Sequence, residues 1–381
     1  MIELSLALGS IGWISYCVFI YPIIVSIAGR MRPVEVRADS LYMPKVTLIV
    51  TARNEEASVL QKLRNALASE YPADRLRVLL VSDGSTDRTV ELANELKSLN
   101  GERLDILPFA GSRGKTAALM DGIERVRHSS DVIVISDANS IFAPDAVARL
   151  VANFADERVG CVAGELRYQS KTGEKAYRGV ENKLREMESR IGVSVGAEGA
   201  IYAVRAADVP TIRGDLIDDF TIPLLIQSRG RLVAYESLAV ANEEFFLDWR
   251  QQYARRRRIV NRCIRSSVVV PGLYNPFRTP LASFAFISHR LMRWTIAVPL
   301  LTLLVVAALQ VTSAYPWNLI AVTPAMFAGW VALGTLLRDQ SGVPRVLSMG
   351  LFGTLAVTAM AHGVFSAVRG ERVVQWKPQR S

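Results

Sequence analysis

The sequence predicts an α/β fold: a mostly parallel sheet with helices on both faces, and apolar helices at either end of the chain. Three observations carry this. Strand-like and helix-like stretches alternate between about residues 40 and 250. The strand-like stretches are continuous Val, Ile and Leu runs, the mark of strands buried on both faces. Apolar runs of membrane-spanning length flank the region on both sides.

Taken in order, residues 4–28 are almost wholly apolar and end in "GRMRP". About 20 such residues cross a bilayer, and neither a basic start nor a small-residue cleavage site marks a signal peptide. "KVTLIVT" (45–51) predicts a strand and "EEASVLQKLRNALAS" (55–69) a helix. "LRVLLVS" (76–82) and "DRTVELANELKSL" (87–99) repeat the pattern, as do "RLDILPF" (103–109) and "KTAALMDGIERVR" (115–127). "DVIVIS" (131–136) is the next strand, before a helix opened by Pro144. Further apolar runs at about 294–311, 317–337 and 346–368 predict about three C-terminal spans. The organisation expected is a transmembrane helix over 1–30, a soluble α/β domain over 40–250, an Arg-rich and amphipathic segment over 251–293, spans over 294–368 and a basic tail over 369–381.

The charges beside these runs orient the chain. Arg30, Arg32, Arg37 and Lys45 follow the first, Arg290 and Arg293 precede the second, and Arg338 and Arg345 follow the third. The middle region is therefore expected in the cytoplasm. Four full spans would leave the basic tail on the far side, so either one run is re-entrant or interfacial, or the rule fails here.

A formal net charge of +9 points to anionic partners: nucleic acid, acidic headgroups or a phosphorylated substrate. Cys17, Cys161 and Cys263 lack any paired spacing, which argues against a disulfide framework or a zinc site. His128, His289 and His362 do not cluster, and structural roles are expected of them.

In parallel sheets ligands bind at the carboxyl ends of the strands. That rule selects Asn54, Glu55 and Glu56 after the first strand, Asp83 and Asp87 after the second, and Asp137 and Asn139 after "VIVIS". Turn formation accounts for Asp and Asn at a strand end, and helix capping for Asp87. Carboxylates converging on one edge repel one another unless a cation or hydrogen-bond donors fill it, and hard oxygens suit Mg²⁺ or Mn²⁺. Lys115, at a helix start in "GSRGKTAAL", suits phosphate oxygens, although its spacing is not that of a P-loop.

As an ordered set, "TARNEE", "SDGSTD", "GKTAAL", "SDANS", "GAEGAIYAVR", "IDDF" and "QQYARRRRIVNR" resemble the membrane-bound family-2 glycosyltransferases with a GT-A fold, such as the cellulose, hyaluronan and poly-N-acetylglucosamine synthases. The resemblance implies a Rossmann-like GT-A domain on transmembrane helices. It also implies an inverting transferase, using a UDP sugar and Mg²⁺ or Mn²⁺, in exopolysaccharide, capsule or biofilm polysaccharide synthesis at a bacterial cell membrane. Asp83 would contact the nucleotide base, with Asn54, Glu55 and Lys115 as further donor contacts. Asp137 and Asn139 would hold the metal and donor, Asn139 standing where the family has a second Asp. Asp219 would be the general base, with Asp218 beside it; a helix cap is the other reading of that pair. Glu198, Gly199, Ala200, Tyr202 and Gln252 would meet the acceptor, and Arg255 and Arg256 the donor diphosphate, with the run Arg255 to Arg258 adding charge stabilisation. Arg256 stands where processive synthases place a Trp, which puts processive polymerisation in question and favours a single transfer to a polyprenyl-linked acceptor as the alternative. The expected partners are a nucleotide-sugar donor, a glycan or lipid-linked acceptor and membrane lipids, with no nucleic acid. A membrane-bound nucleotidyltransferase is the rival enzyme class. A membrane-surface lipid patch is the rival role for the Arg run.

Overall fold

The computed structural model describes residues 2–169, 173–244, 249–310 and 345–372, with a few isolated helical residues between 326 and 336. The expected span over 317–337 lies almost wholly outside them, as does the tail from 373 onward.

The N-terminal helix α1 (Ile2–Met31) is the one helix among the described residues long and apolar enough to cross a membrane. The middle region alternates as the sequence predicts: β1 (Val46–Ala52), α2 (Val59–Leu67), β2 (Leu76–Ser82), α3 (Thr89–Asn100), β3 (Leu104–Pro108), α4 (Lys115–Val126) and β4 (Val132–Asp137). Then follow β5 (Ile141–Phe142), α5 (Ala146–Ala152), β6 (Val159–Gln169), α6 (Gly173–Arg190), β7 (Tyr202–Arg205), α7 (Asp218–Ser228) and β8 (Leu232–Glu244). After these come α8 (Trp249–Ser267), the bent pair α9 (Pro280–Trp294) and α10 (Ala297–Leu309), which meet at 48°, and α11 (Arg345–Val368).

The eight strands form one sheet in the order β3-β2-β1-β4-β7-β6-β8-β5. β3, β2, β1 and β4 are parallel, as their unbroken apolar runs require. Alternate residues of β1 point to opposite faces: Leu48 and Val50 enter the core under α2, α3 and α5, while Ile49 enters a second core under α4 and α7. The other half holds the antiparallel part of the mostly parallel sheet that was expected. β7 runs antiparallel to both β4 and β6, and β5 antiparallel to β8, with only β6 and β8 parallel. The sheet is therefore mixed.

A polar seam joins α1, α6 and α9. Glu188 of α6, fully buried, accepts a hydrogen bond from Tyr21 of α1 at 2.6 Å and lies 2.7 Å from Nδ1 of His289 in α9. Glu181 of α6 pairs with Nε2 of the same ring at 3.2 Å and with Arg293 at 2.5 Å. His289 is structural, as expected. A third core of Phe220 and Leu224 (α7), Val260 and Cys263 (α8), Phe286 and Trp294 (α9) fixes the C-terminal helices against the catalytic domain.

Candidate active site

The parallel register aligns the carboxyl ends of β1, β2 and β4, with Ala52 beside Ser82 and Thr51 beside Asp137. Everything that follows these strands emerges on one edge.

After β2 the chain reverses at Gly84, whose φ is +66° and where a Cβ would fall 2.5 Å from the backbone of Gly111 and Ser112. This close approach lets Asp83, buried, hold the loop that opens α4. Its Oδ1 accepts from the Arg113 amide at 2.7 Å, and its Oδ2 from the Ser112 hydroxyl at 2.8 Å and the Gly114 amide at 3.0 Å. Three donors on a carboxylate fix the loop firmly. Asn54 takes the left-handed conformation, φ +53°, and its side-chain oxygen accepts from the Thr86 amide at 2.8 Å. A non-glycine residue held there marks a constrained turn. Glu55 accepts from the Ser58 hydroxyl at 2.8 Å, and burial raises its carboxyl above the usual range. Glu56 is exposed and its carboxylate accepts from the Arg88 amide. Asp87 accepts from the Thr89 amide and hydroxyl at the head of α3, but the N-cap position itself is Arg88, so Asp87 sits one residue before the cap expected of it.

Lys115, first residue of α4, is placed by that loop. Its ammonium lies 2.6 Å from Asp137 Oδ1 and 3.9 Å from Asp218 Oδ2. Burial works against its charge, but Asp137, Asp218 and Asp219 together hold it protonated above the ordinary lysine range. Asp218 and Asp219 are the first two residues of α7, with Ile217 in the capping position, so neither is the N-cap. Asp218 is buried and accepts from the Tyr202 hydroxyl at 3.1 Å and the Thr116 hydroxyl at 3.3 Å. Asp219 is half-buried, and its Oδ2 accepts from the Gly199 amide at 2.9 Å. Burial, reinforced by Asp218 next to it and opposed by Lys115, pushes the Asp219 carboxyl up to about 7. Gly199 is required here. A Cβ on it would come within 2.9 Å of Asp219 Oδ2, 3.0 Å of Lys115 Nζ and 3.6 Å of Asp137 Oδ2.

The other acceptor candidates are built into the framework. Glu198 pairs with Arg178 at 2.5 Å and with Arg185 of α6. Ala200 is buried, its carbonyl accepting from Ser136 at 2.9 Å, and Tyr202 is buried against Asp218. Gln252 and Arg256 lie half-buried on α8. On the same helix Arg255 donates to the Tyr168 hydroxyl at 3.0 Å, and Arg262 donates to Thr116 Oγ1 at 3.1 Å and to the Leu216 carbonyl.

Arg258 belongs to the Arg run expected to add positive charge at the donor, whereas Lys62 and Glu243 were not expected at the site. Arg258 lies one turn from both Arg255 and Arg262 and makes no hydrogen bond or ion pair among the described residues. Burial and the two flanking guanidiniums lower it to about 10, while Asp137 attracts it. Lys62, fully buried in α2, donates to the Ser140 carbonyl at 2.6 Å and lies 3.7 Å from the centre of the Phe142 ring; burial lowers it to about 7. Glu243 accepts from the Ser140 hydroxyl. A lysine at position 62, within the apolar stripe of a predicted helix, was a legible signal.

Asp137 and Asn139, both half-buried on the turn after β4, offer hard oxygens, and Asp137 Oδ2 faces the gap beside Gly199. This donor set fits a hard divalent cation shared with a diphosphate. Among the described residues no group of three or more His, Cys, Asp or Glu forms a protein-only cage.

Residues 47–201 match the family model described as Glycosyl transferase family 2. The chain is 34% identical over 139 residues to a probable glycosyltransferase, YdaM, of Bacillus subtilis, covering 34% of this chain and 31% of that protein. It is 28% identical over 212 residues to the poly-beta-1,6-N-acetyl-D-glucosamine synthase of Staphylococcus aureus, covering 51% of this chain and 48% of that one. The match thus spans less than half of the length of these curated relatives. In fold the chain is similar to the mannosyltransferase PcManGT from Pyrobaculum calidifontis, solved with GDP-Man and Mn²⁺, with a TM-score of 0.72 at 22% identity over 96% of this chain and 99% of that one.

Proposed function

We propose that this family-2 glycosyltransferase transfers a sugar, with inversion, from a UDP sugar to a hydroxyl of a growing glycan or a lipid-linked acceptor at the inner face of a membrane. The observation that carries the proposal is Asp219: a carboxylate fixed by the Gly199 amide, raised to about 7, beside the Lys115–Asp137 pair.

A base of that strength suits proton removal near neutral pH. Asp219 takes the proton of the acceptor hydroxyl as its oxygen attacks the anomeric carbon. The bond from that carbon to the diphosphate breaks, and the nucleoside diphosphate leaves with the electron pair. Lys115 stands beside Asp137, where charge develops on the leaving group. Asn54, Glu55 and the loop held by Asp83 shape the nucleotide side, while Gly199, between Glu198 and Ala200, leaves room for the acceptor. Asp137 and Asn139 would hold a Mg²⁺ or Mn²⁺, which when bound supplies charge neutralisation to the departing diphosphate. Along α8, Arg255, bonded to the Tyr168 hydroxyl, and Arg256 would pair the donor diphosphate, with Gln252 one turn earlier toward the acceptor. Arg256, in place of an aromatic residue, gives a sugar a poorer stacking face and favours few transfers per encounter.

The membrane part of the proposal is supported by the length and apolarity of α1 and by the bent α9–α10 pair. The deciding experiment supplies radiolabelled UDP and GDP sugars to the purified protein in lipid and sizes the product. Transfer from a UDP sugar with release of UDP is expected. Release of pyrophosphate would make the protein a nucleotidyltransferase instead.

A further inference from the structure

The last turns of α1 cross α6 at Gly29, where a Cβ would lie 3.1 Å from Arg190 Cβ and 3.4 Å from the Met187 carbonyl. Beside this crossing a cleft opens between the two helices. Val25 and Met187 form its apolar part, and Arg30, Lys183, Glu186 and Arg190 its polar rim. Glu186 is committed to Arg190 at 2.8 Å. Arg30 and Lys183, both exposed, make no hydrogen bond or ion pair among the described residues. Three cations thus face one carboxylate, and two of them are unneutralised.

The depth of the cleft follows from helix length. Thirty residues extend about 45 Å at ~1.5 Å per residue, against a hydrocarbon core about 30 Å thick. The excess of about ten residues lies at headgroup depth, and residues 25–30 form the end that leads into the catalytic domain. Along this end of α1, Ile23, Ile24 and Ile27 are exposed, an apolar flank that acyl chains would cover.

We infer that this cleft binds the phosphate of an anionic membrane lipid, paired by Arg30 and Lys183, with its chains along Ile23 and Ile27. The inference rests on the membrane reading of α1 given above. The cleft shares no residue with the Lys115–Asp137 cluster, so a lipid seated in it lies outside the reacting centre. A lipid seated there bridges α1 to α6, whose Glu188 and Glu181 hold the seam to α9.

The test uses the full-length protein purified in detergent, with short-chain phosphatidylglycerol, phosphatidylcholine and glycerol 1-phosphate as probes, followed by native mass spectrometry. Arg30→Gln/Lys183→Gln is compared with Arg32→Gln/Arg37→Gln, which removes equal charge just beyond the same helix, and with Arg30→Lys/Lys183→Arg. Phosphatidylglycerol should bind wild type in preference to phosphatidylcholine. Binding should weaken roughly 10-fold or more in the first pair, consistent with two basic contacts, and little in the others. Equal losses in both glutamine pairs would reduce the effect to general surface charge and overturn the site. Equally tight binding of glycerol 1-phosphate would overturn the lipid assignment. In a companion flotation assay with phosphatidylglycerol and phosphatidylcholine vesicles, a wild-type chain that floats with neither would sink the membrane reading itself, which is a different failure from membrane association without lipid preference.

Discussion

Lys115 Nζ lies 2.6 Å from Asp137 Oδ1, closing the end of the site that the parallel strands open. One ammonium therefore balances three carboxylates, those of Asp137, Asp218 and Asp219. Asp219, hydrogen-bonded to Gly199, is left with the weakest hold on its charge, which is what a base requires.

Asp219→Asn should lower kcat by about 10²-fold or more while nucleotide affinity stays near wild type, because the base acts in the chemical step alone. The active form is the carboxylate, raised to about 7, so wild-type activity should climb as pH rises through about 7 and then level. A raised carboxyl also means that its share of stability is present at acid pH and lost as pH rises through that value. Steady-state rates and UDP titrations across pH check both. A near-wild-type kcat would move the base to Asp218.

Gly199→Ala places a methyl 2.9 Å from Asp219 Oδ2 and 3.0 Å from Lys115 Nζ. Both are ends of flexible side chains, so the fold should survive while the site shifts. A kcat loss on the order of 10²-fold is expected from such a displacement, with little change in Tm. A large drop in Tm would mean that the residue serves the fold instead.

Asp83→Ala should act through the loop. The Ser112, Arg113 and Gly114 donors lose their acceptor, at a cost of about 1–3 kcal/mol for groups left unsatisfied. Lys115 then loses its fixed position, so UDP binding should weaken together with stability. Calorimetric Tm and UDP affinity, measured on one preparation, decide it. Weakened binding at unchanged Tm would make Asp83 a direct nucleotide contact alone.

Activity should require Mg²⁺ or Mn²⁺ and vanish in Asp137→Ala, while Asn139→Asp, which restores a charged oxygen, should lower the metal concentration needed. Full turnover in excess EDTA would refute this. Lys115 on Asp137 Oδ1 predicts a further effect: Lys115→Met should tighten Mn²⁺ binding even as it impairs transfer.

Arg258→Gln should weaken UDP more than UMP, by roughly 10-fold in the ratio, since an unneutralised guanidinium facing Asp137 is suited to the outer phosphate. Arg262→Gln should instead lower Tm, because its guanidinium ties the Leu216 carbonyl, just before α7, to Thr116 of α4. An unchanged UDP-to-UMP ratio in Arg258→Gln would remove it from the donor site.

Much of this was legible in the sequence, for physical reasons. Strands β1, β2 and β4 are buried on both faces, so their apolar runs are unbroken and their ends could be placed to within a residue or so. The far half of the sheet was hidden. β7 has four residues and lies in a segment read only for its chemistry, and strand direction there is set by pairing rather than by pattern. Residue types at the site were legible, but orientations were not. Nothing local to "SDGSTD" reveals that Asp83 turns onto its own loop, or that Lys115 reaches Asp137 across 22 positions of chain.

The polar seam also sets an order of events during synthesis. Tyr21 is made early, but its partner Glu188 follows 167 residues later, and His289 a further 101 residues on. At ~5–20 residues per second the helix waits on the order of ten seconds or more for its first partner. During that interval α1 sits in place without its hydrogen-bonded neighbours, and the catalytic sheet can close before the seam does. Exchanging α1 for an unrelated apolar anchor should therefore still deliver the protein to a membrane, yet leave Glu188 buried with no hydroxyl to meet it. The Tyr21–Glu188 bond therefore belongs to a late stage of assembly, when α1 closes onto α6.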